Sequence, residues 1–462
     1  MTPLLLALIV DRTVPPPVSP PPLLELPAPE RFALSDALTV ELVRVVGVRM
    51  VEIDVRFHHG SIALAGGPTE AARALGWLAD AAAGDYDATE LSTLRDLHEI
   101  ELWTAIDHQW ADVRLTVPAE ELAKGLELLG AVVKEPDFPR SELSLYKRDL
   151  HLFYEVDGPS SPDALARAAL AYGWFSSDSP FGRRPNLDAL DDVSRNDLRA
   201  LHERWLATAP ATILVVGDVD RAAVETGLRA ALLGSGATAP KPEPLPQPAP
   251  ATRTVAVDLA DQEQASLRLR FPFPDRNHSD HAAATVLKWA LGGNFMSRLN
   301  LNLREQRGYT YGAGCAWVDA PGRSFLTISV DVPSDVVAET VFEINKELSL
   351  LMASGLTEQE RDDAALAAVQ DFNATQETAS TAFARYQTLI RDEQDVATAR
   401  RDVESLASVT LEETTRVAAT WFGDTEHRLW VLVGDKKTTE AEMGELPAIE
   451  WVAPDRTMLG DF

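Results

Sequence analysis

The sequence has little of several residue types, and each shortage excludes something. Cys315 is the one cysteine among 462 residues, so no disulfide can form within the chain, and cysteine usage does not fix the compartment. No apolar run reaches about 18 residues, so we expect no membrane span. Lysines and arginines number 42 against 71 aspartates and glutamates, for a net charge of −29. This charge repels nucleic acids and anionic membranes, and it indicates either a well-solvated surface or an acidic cavity for a cationic peptide.

The first 30 residues are rich in proline and differ from the rest of the chain. The apolar run from Pro3 to Val10 is as long as the core of a short secretion signal, but it lacks a basic region before it and a small-residue cleavage site after it. We interpret it as a degraded or truncated export signal, or else as an unstructured cytoplasmic N-terminus. The compartment is accordingly periplasmic or secreted, with cytoplasmic as the alternative. The prolines from Pro15 to Pro29 predict a stiff, extended tether.

Sequence patterns for common catalytic sites are missing. There is no GxxxxGK[ST] phosphate loop and no GxSxG nucleophile turn. The nine histidines form no HxxEH, HExxH or HxxxH pattern, the spacings at which a helix presents two imidazoles to zinc. His278 and His281 lie three apart without a third ligand nearby, so we interpret them as solvated residues at a helix start. Cys315 is interpreted as a buried structural thiol, and we predict no metal on this chain.

Similar segments recur in the chain at a nearly constant spacing. Ser194 and Thr410 each begin a capping-box pattern with an acid three residues later, and they are 216 residues apart. Each pattern leads to a tryptophan and then to a β-branched strand that closes on Gly-Asp. Pro118 and Pro333 each follow a strand and precede an amphipathic helix, 215 residues apart. The chain therefore contains an internal duplication.

The duplication and a proline-rich break predict the domain organisation. We expect an N-terminal domain over residues 31–232, a linker over 233–252 and a homologous C-terminal domain over 253–462. The alternating pattern of Val51–Phe57 predicts a strand with one buried face. Strands occur in pairs and helices in runs, without regular βαβ alternation. We therefore predict the α+β class, with two homologous domains that each hold a mostly antiparallel sheet covered on one face by helices.

The segment "ALGGNFMSRLNLNLREQRGYTYGAGCAW", residues 290–317, resembles the C-terminal-domain signature of the insulinase/pitrilysin family of zinc metallopeptidases. In that family a glycine-rich turn leads to a helix with the pattern SRL…LREKRGxxY. The segment "SPFGRRPNLDALDDVSRNDLRALHERW" is similar to the second part of the family's N-terminal domain. The resemblance covers nearly all of residues 31–462. It implies the family's layout, in which two homologous domains form one half-shell of a clamshell-like dimer.

The resemblance implies roles for four residues. Arg304 and Tyr311, seven apart, match the family's arginine–tyrosine pair, which reaches the substrate carbonyl beside the zinc. A guanidinium and a phenol can both donate hydrogen bonds to a developing oxyanion, and Gly308 allows a turn between them. Gly292 and Gly293 fall in the glycine-rich turn, where a peptide backbone could approach. The alternative without function is a packed tyrosine and a surface arginine beside an ordinary helix end.

The sequence departs from the family where the zinc site should be. The HxxEH motif belongs on the first helix, at about Leu75 to Ala79, but no histidine occurs between His59 and His98. Glu155 falls near the family's third ligand, yet one carboxylate cannot hold zinc alone, and we interpret it as a helix-surface charge. This chain is therefore not expected to be a peptidase in isolation.

The resemblance and the departure together imply a non-catalytic subunit of a heterodimeric metalloendopeptidase. The expected partners are a homologous subunit, which carries the zinc, and an unfolded peptide substrate. Two alternatives remain: an inert structural, assembly or peptide-binding subunit, and a self-sufficient enzyme with an unrecognised site.

Overall fold

The computed structural model describes residues 22–61, 69–204, 209–234, 249–320, 322–374, 378–440 and 446–460. The proposed export signal and most of the predicted linker lie outside the described residues. In the described part of the chain, no helix is both long enough and apolar enough to cross a bilayer.

Within the described ranges, the strands form two sheets of six. They are β1 (Glu30–Ser35), β2 (Leu38–Arg44), β3 (Met50–Phe57), β4 (Glu101–Ile106), β5 (Ala111–Pro118), β6 (Ala211–Gly217), β7 (Arg253–Asp258), β8 (Gln264–Pro272), β9 (Ala313–Ala320), β10 (Arg323–Pro333), β11 (Leu429–Gly434) and β12 (Ile449–Val452).

The helices cover these sheets. They are α1 (Thr69–Leu78), α2 (Ala88–Leu97), α3 (Leu122–Lys134), α4 (Arg140–Leu152), α5 (Pro162–Trp174), α6 (Leu187–Asp191), α7 (Arg195–Arg204), α8 (Arg221–Leu232), α9 (His281–Gly292), α10 (Val337–Ser354), α11 (Glu358–Ala374), α12 (Ala379–Arg391), α13 (Val396–Ser405), α14 (Leu411–Trp421), α15 (Lys436–Thr439) and α16 (Pro454–Leu459). Two π-helical segments, Phe153–Asp157 and Asn300–Gln306, interrupt the regular pattern.

Five of the six strands follow the same order in the two sheets, as expected of an internal duplication. The first runs β1-β2-β6-β3-β5-β4 and the second runs β12-β7-β11-β8-β10-β9. In each sheet one central pair is parallel, β2 with β6 and β7 with β11, and the next three pairs are antiparallel. The edge strands differ, because β1 pairs antiparallel with β2 whereas β12 pairs parallel with β7. The predicted α+β class, with two domains of mostly antiparallel sheet, is confirmed.

Local sequence explains where the repeated helices begin. The Thr410 hydroxyl accepts a hydrogen bond from the Glu413 backbone N–H, and the Glu413 carboxylate accepts one from the Thr410 N–H, which forms a complete capping box before α14. Ser194 and Asp197 exchange the same two bonds at the start of α7. The predicted caps are therefore present in both halves.

Helices cover both faces of each sheet, which differs from the single covered face that we expected. One face of each sheet packs on helices of its own half. The other face packs on a helix from the opposite half: Leu165 and Trp174 of α5 lie in a cluster with Val431 of the second sheet. Tyr386 of α12 lies in a cluster with Leu214 of the first sheet. This exchange buries both faces of β3, and alternation within one strand cannot reveal it.

The last residues of the N-terminal tether pack against the second half. Leu26 is buried in the cluster that α12 forms with the first sheet. The Tyr386 hydroxyl donates a hydrogen bond to the carbonyl oxygen of Pro27 at 2.6 Å. The Leu24 backbone N–H donates one to the Asn373 side-chain oxygen at 2.9 Å. The end of the tether is thus a strap, residues 22–29, that crosses from the first sheet to α11 and α12.

Candidate functional site

The glycine-rich turn follows α9, where the helix meets strand β9. A Cβ atom added to Gly292 would lie 2.4 Å from the Sγ of Cys315, and one added to Gly293 would lie 2.6 Å from the Cα of Trp289. Close packing therefore accounts for both glycines. Contact of Gly292 and Gly293 with a peptide stays a prediction. Burial raises the pKa of the Cys315 thiol to about 12, as expected for a structural thiol and not for a nucleophile.

Arg304 lies near the end of the π-helical segment Asn300–Gln306, at the protein surface. Its guanidinium carbon is 5.0 Å from the centroid of the Phe295 ring, a cation–π contact. It also forms an ion pair of 3.0 Å with Glu305, and its side chain is 39% exposed. Phe295 and its neighbour Met296 are themselves largely exposed. Arg304 thus belongs to a surface that combines a cation with accessible apolar groups.

The turn after Arg304 has the geometry that the sequence predicted. Gly308 has a φ of +70°, in the left-handed region that favours glycine. The Arg307 N–H donates to the Asn302 carbonyl at 2.9 Å and the Tyr309 N–H donates to the Leu303 carbonyl at 2.8 Å, which closes the helix end. The chain therefore reverses direction between Arg304 and Tyr311.

Tyr311 lies in a bend two residues before strand β9, and it is 92% exposed. The hydroxyl of Thr310 spans this bend, because it donates to the Gly312 carbonyl and accepts from the Gly312 N–H. This backbone is ordered while the phenol faces solvent. Tyr311 is therefore not the packed tyrosine of the non-functional alternative, and its phenol is available to a ligand.

Asn300 holds the two sides of the turn together, and our sequence analysis missed it. Its side-chain NH₂ donates to the carbonyl oxygens of Ala313 at 2.7 Å and of Asn294 at 3.0 Å. Its side-chain oxygen accepts from the Ala313 N–H at 3.0 Å. The residue is buried, so these bonds fix the start of β9 relative to the π-helical segment. The signal available in the sequence was a polar residue between Leu299 and Leu301.

Glu343 of α10 holds the same turn in place through hydrogen bonds on its buried side. Its buried carboxylate accepts hydrogen bonds from Asn302, Arg307 and Lys346. Burial alone would raise the pKa of Glu343, but the hydrogen bonds from Lys346 and Asn302 and the charges of Lys346 and Arg307 outweigh it and lower the pKa. Arg307 therefore has a structural partner, whereas Arg304 three residues earlier faces outward.

The place predicted for the zinc motif is occupied by apolar packing. Leu75, Leu78 and Ala79, at the end of α1, are buried in the core of the first sheet. Glu155 is exposed in the π-helical segment after α4, and its carboxylate is 3.1 Å from Nδ1 of His151. Across the described ranges, no group of three or more His, Cys, Asp or Glu side chains is arranged to hold a metal ion.

His281 differs from the solvated residue that we expected. Its Nε2 is 3.3 Å from the Asp319 carboxylate, and its ring lies against Trp317 with centroids 4.8 Å apart. Burial would raise the pKa of Asp319, but the hydrogen bond from His281 and the charge of Arg276 lower it to about 2. His278 does remain largely exposed, beside Asp280. The two histidines therefore do not form a pair.

Part of the chain matches the model of a known protein family. Residues 192–367 match the model of the peptidase M16 inactive domain, and this segment includes the glycine-rich turn and the turn between Arg304 and Tyr311. A search of curated proteins finds no match to the sequence.

Solved structures share the fold of most of the chain. The peptidase M16 inactive domain from Pseudomonas fluorescens is 19% identical, with a TM-score of 0.77, 88% of this chain covered and 98% of that chain. A protease from Helicobacter pylori is 20% identical, with a TM-score of 0.76 and coverages of 88% and 100%. The periplasmic protease PqqL from Escherichia coli is 13% identical, with a TM-score of 0.70. The alignment covers 92% of this chain and 49% of the PqqL chain.

These similarities define the fold class. The chain has the two-domain α+β fold of M16 peptidases and their inactive relatives. Within this class, residues 192–367 are similar to the peptidase M16 inactive domain, which agrees with the resemblance that the sequence indicated. The roles of Arg304 and Tyr311 remain a prediction.

Proposed function

We propose that this chain is the non-catalytic subunit of a heterodimeric M16-type zinc peptidase. Its task is to present Arg304 and Tyr311 to a peptide that is bound at the zinc site of a homologous partner. The observation that carries the proposal is the exposure of both side chains on one short turn, whose backbone is fixed from beneath by buried Asn300 and Glu343.

The first half supports a non-catalytic role. The segment where the zinc motif is expected, Leu75 to Ala79, supplies buried apolar side chains to the core. No histidine occurs between His59 and His98, so this helix offers no imidazole. Any metal in the complex would thus come with the partner, where it would activate water and polarise the substrate carbonyl.

The turn in the second half supports a role in substrate binding. Phe295 holds the Arg304 guanidinium at the surface through its ring face, so the cation is oriented without being buried. The guanidinium and the phenol of Tyr311 can each donate a hydrogen bond to a carbonyl oxygen. Donors that are fixed before the reaction stabilise the charge that develops on the oxygen of the tetrahedral intermediate. The exposed Phe295 and Met296 would contact the apolar side chains of an extended peptide.

The comparison with PqqL supports a second subunit. This chain covers 49% of PqqL, which is described as a periplasmic protease. A homologous chain that carries HxxEH would supply a second half-shell, and the two half-shells would enclose the peptide between them. A periplasmic or secreted location agrees with the apolar N-terminal run, and a cytoplasmic location is the alternative.

Purification of the native complex tests this proposal. The chain should co-purify with a homologous subunit that contains HxxEH, and metal analysis should find one zinc per heterodimer, on that subunit. The dimer should cleave unfolded peptides, and neither subunit should do so alone. A native state without any homologous partner, or zinc bound to the isolated chain, would sink the proposal.

The second candidate is an inert subunit that binds peptides or supports an assembly. One observation favours it: Arg304 already pairs with Glu305 at 3.0 Å, so its charge is partly satisfied within the chain. A native complex with a zinc-bearing partner that cleaves peptides equally well after replacement of Arg304 would favour this candidate.

A further inference from the structure

A cavity on the first half gathers basic side chains in an otherwise acidic protein. It has a volume of about 380 Å³ and lies between α4 and the start of α7. In the part of the chain that the structure describes, its lining contains no carboxylate. The lining residues are Arg140, Leu143, Ser144, Lys147, Ser194, Arg195, Asn196 and Arg199.

Helix periodicity brings these side chains together. Arg140, Ser144 and Lys147 recur at the spacing of one face of α4. Arg195 and Arg199 are four apart on α7 and therefore share one of its faces. Both of these faces line the same cavity. Four cations thus surround one space, although the whole chain has a net charge of −29.

Backbone carbonyls position two of the cations without neutralising them. Lys147 Nζ donates to the carbonyl oxygens of Asp191 at 2.6 Å and of Val193 at 2.7 Å. Arg195 Nε donates to the Phe138 carbonyl at 2.6 Å. A carbonyl group has a dipole but no net charge, so it fixes the direction of the side chain and leaves its positive charge in place.

The nearby carboxylates are fewer than the cations. Asp137 pairs with Arg195 at 3.1 Å and with Arg199 at 2.8 Å. Asp197 is occupied by Ser194, whose side-chain and backbone hydrogen bonds lower the pKa of the carboxyl, with a smaller contribution from Lys147. Arg140 is exposed, and among the described residues it has no ion-pair partner. Four cations against two carboxylates leave an excess of positive charge in the cavity.

Further hydrogen-bond donors face the same space. Ser144 contributes a hydroxyl group to the lining, whereas the Ser194 hydroxyl donates its hydrogen to Asp197. Helix α4 follows Pro139, which has no side-chain acceptor, so the first N–H groups of the helix are left without a cap. The positive end of this thirteen-residue helix adds to the charge of the side chains.

We propose that this cavity binds a small phosphate-bearing anion with at least two phosphate groups. Arginine forks and a lysine ammonium are the side chains that bind phosphate oxygens, and the Ser144 hydroxyl adds a further donor. A volume of about 380 Å³ exceeds what one phosphate group fills. The strongly negative chain as a whole repels long polyanions, which favours a small ligand over a nucleic acid. The site is independent of the proposed peptidase role.

Titration calorimetry of the full-length chain tests the site, with pyrophosphate, inorganic phosphate and citrate as probes. We expect saturable binding of pyrophosphate at one site, tighter than that of inorganic phosphate or citrate. Arg140→Ala should weaken it at least fivefold, and Arg140→Ala combined with Arg199→Ala should abolish it. Arg140 is exposed and has no ion-pair partner among the residues that the structure describes, so its replacement should leave the melting temperature unchanged.

Arg148→Ala is the matched control, because Arg148 is on the same helix, 72% exposed, and pairs with its neighbour Asp149 outside the cavity. Its affinity for pyrophosphate should equal that of the unmodified chain. The proposal is overturned by three results: no saturable binding of pyrophosphate, an equal loss in Arg148→Ala, or citrate binding as tight as that of pyrophosphate. A short single-stranded oligonucleotide that bound more tightly than pyrophosphate would also overturn it.

Discussion

Gln387 of helix α12 donates a hydrogen bond of 2.7 Å to the buried carboxylate of Asp54 on strand β3, although the residues are 333 positions apart. Arg56, two residues along the same strand, donates to the carbonyl oxygen of Gln387 at 3.3 Å. The first sheet therefore holds the exchanged helix by polar contacts as well as by apolar packing. Because these groups are buried, their protonation affects the stability of the fold.

The Asp54 carboxyl predicts a pH-dependent stability. Burial and the nearby charge of Asp112 raise its pKa to about 6, although Arg56, Arg114 and Gln387 favour the charged form. The folded chain then binds this proton more tightly than the unfolded chain does, so the contribution of Asp54 to stability falls as the pH rises from about 4 to 6. The fall should be about 1–3 kcal/mol, since a pKa difference of one corresponds to about 1.4 kcal/mol.

Urea denaturation of the unmodified chain and Asp54→Asn at several pH values measures this effect. The neutral asparagine cannot titrate, so the free energy of unfolding of the variant should rise relative to that of the unmodified chain between pH 4 and 6. The difference should be constant above about pH 7. A difference that stays flat from pH 4 to 7 would contradict the raised pKa.

Replacement of Arg304 tests the role of the exposed turn. In the reconstituted pair, Arg304→Ala should raise the barrier to turnover by about 2–4 kcal/mol if the guanidinium stabilises the oxyanion. Tyr311→Phe should also slow turnover, because it removes only the hydroxyl donor. Tyr311 is exposed, and Arg304 is partly exposed with contacts only at the surface, so the melting temperature of the chain should change little. Arg148→Ala provides the control, since that arginine also pairs with the carboxylate that follows it. Unchanged steady-state cleavage by both variants would remove this role.

Replacement of Gly292 tests whether this glycine is required for close packing or for contact with a peptide. An added methyl group would meet the Cys315 Sγ at 2.4 Å, so Gly292→Ala should destabilise the chain by about 1–3 kcal/mol. The φ of Gly292 is not in the left-handed region, so the cost reports packing and not backbone strain. Cys315→Ala removes the nearest atom, and in that background Gly292→Ala should cost less. A Gly292→Ala chain of normal stability that binds peptide weakly would instead support the predicted contact with substrate.

The strap predicts that a residue outside both domains stabilises the fold. Leu26 is 8% exposed in the cluster with α12, so Leu26→Ala should lower the free energy of unfolding by about 1–3 kcal/mol. Leu24, two residues earlier, is 44% exposed and serves as the control. Leu24→Ala should change the free energy of unfolding by less than about 0.5 kcal/mol. Equal effects of the two substitutions in urea denaturation would show that the strap is not held as described.

The repeat and the fold class could be predicted because they rest on local patterns. Capping boxes, helix faces and strands are determined by short sequence segments. The same capping pattern begins at Ser194 and at Thr410, which are 216 residues apart. No short sequence pattern predicts that α5 and α12 each pack on the sheet of the opposite half. Alternation in Val51–Phe57 predicted one buried face, but a helix from the other half buries the second face as well. Long-range packing of this kind has no periodicity within the strand.

The candidate site was predictable only where it depends on backbone chemistry. A glycine after a helix predicts a left-handed turn, and Gly308 forms one. The buried amide of Asn300 and the carboxylate of Glu343 act across elements that are distant in sequence, so their roles follow only from three-dimensional placement. The same holds for His281, whose partner Asp319 is 38 residues away. The basic cavity combines two helices that do not stand out separately in an acidic chain.

The exchanged helices make the two halves mutually dependent. Were the backbone severed once between residues 234 and 249, the N-terminal fragment would keep α5 but leave one side of its sheet uncovered. The C-terminal fragment would keep α12, but the face of its sheet that α5 covers would be exposed. Each fragment would hold the cover that the other lacks, so the pair should reassemble on mixing while either alone aggregates. The two halves are therefore expected to unfold together as one cooperative unit.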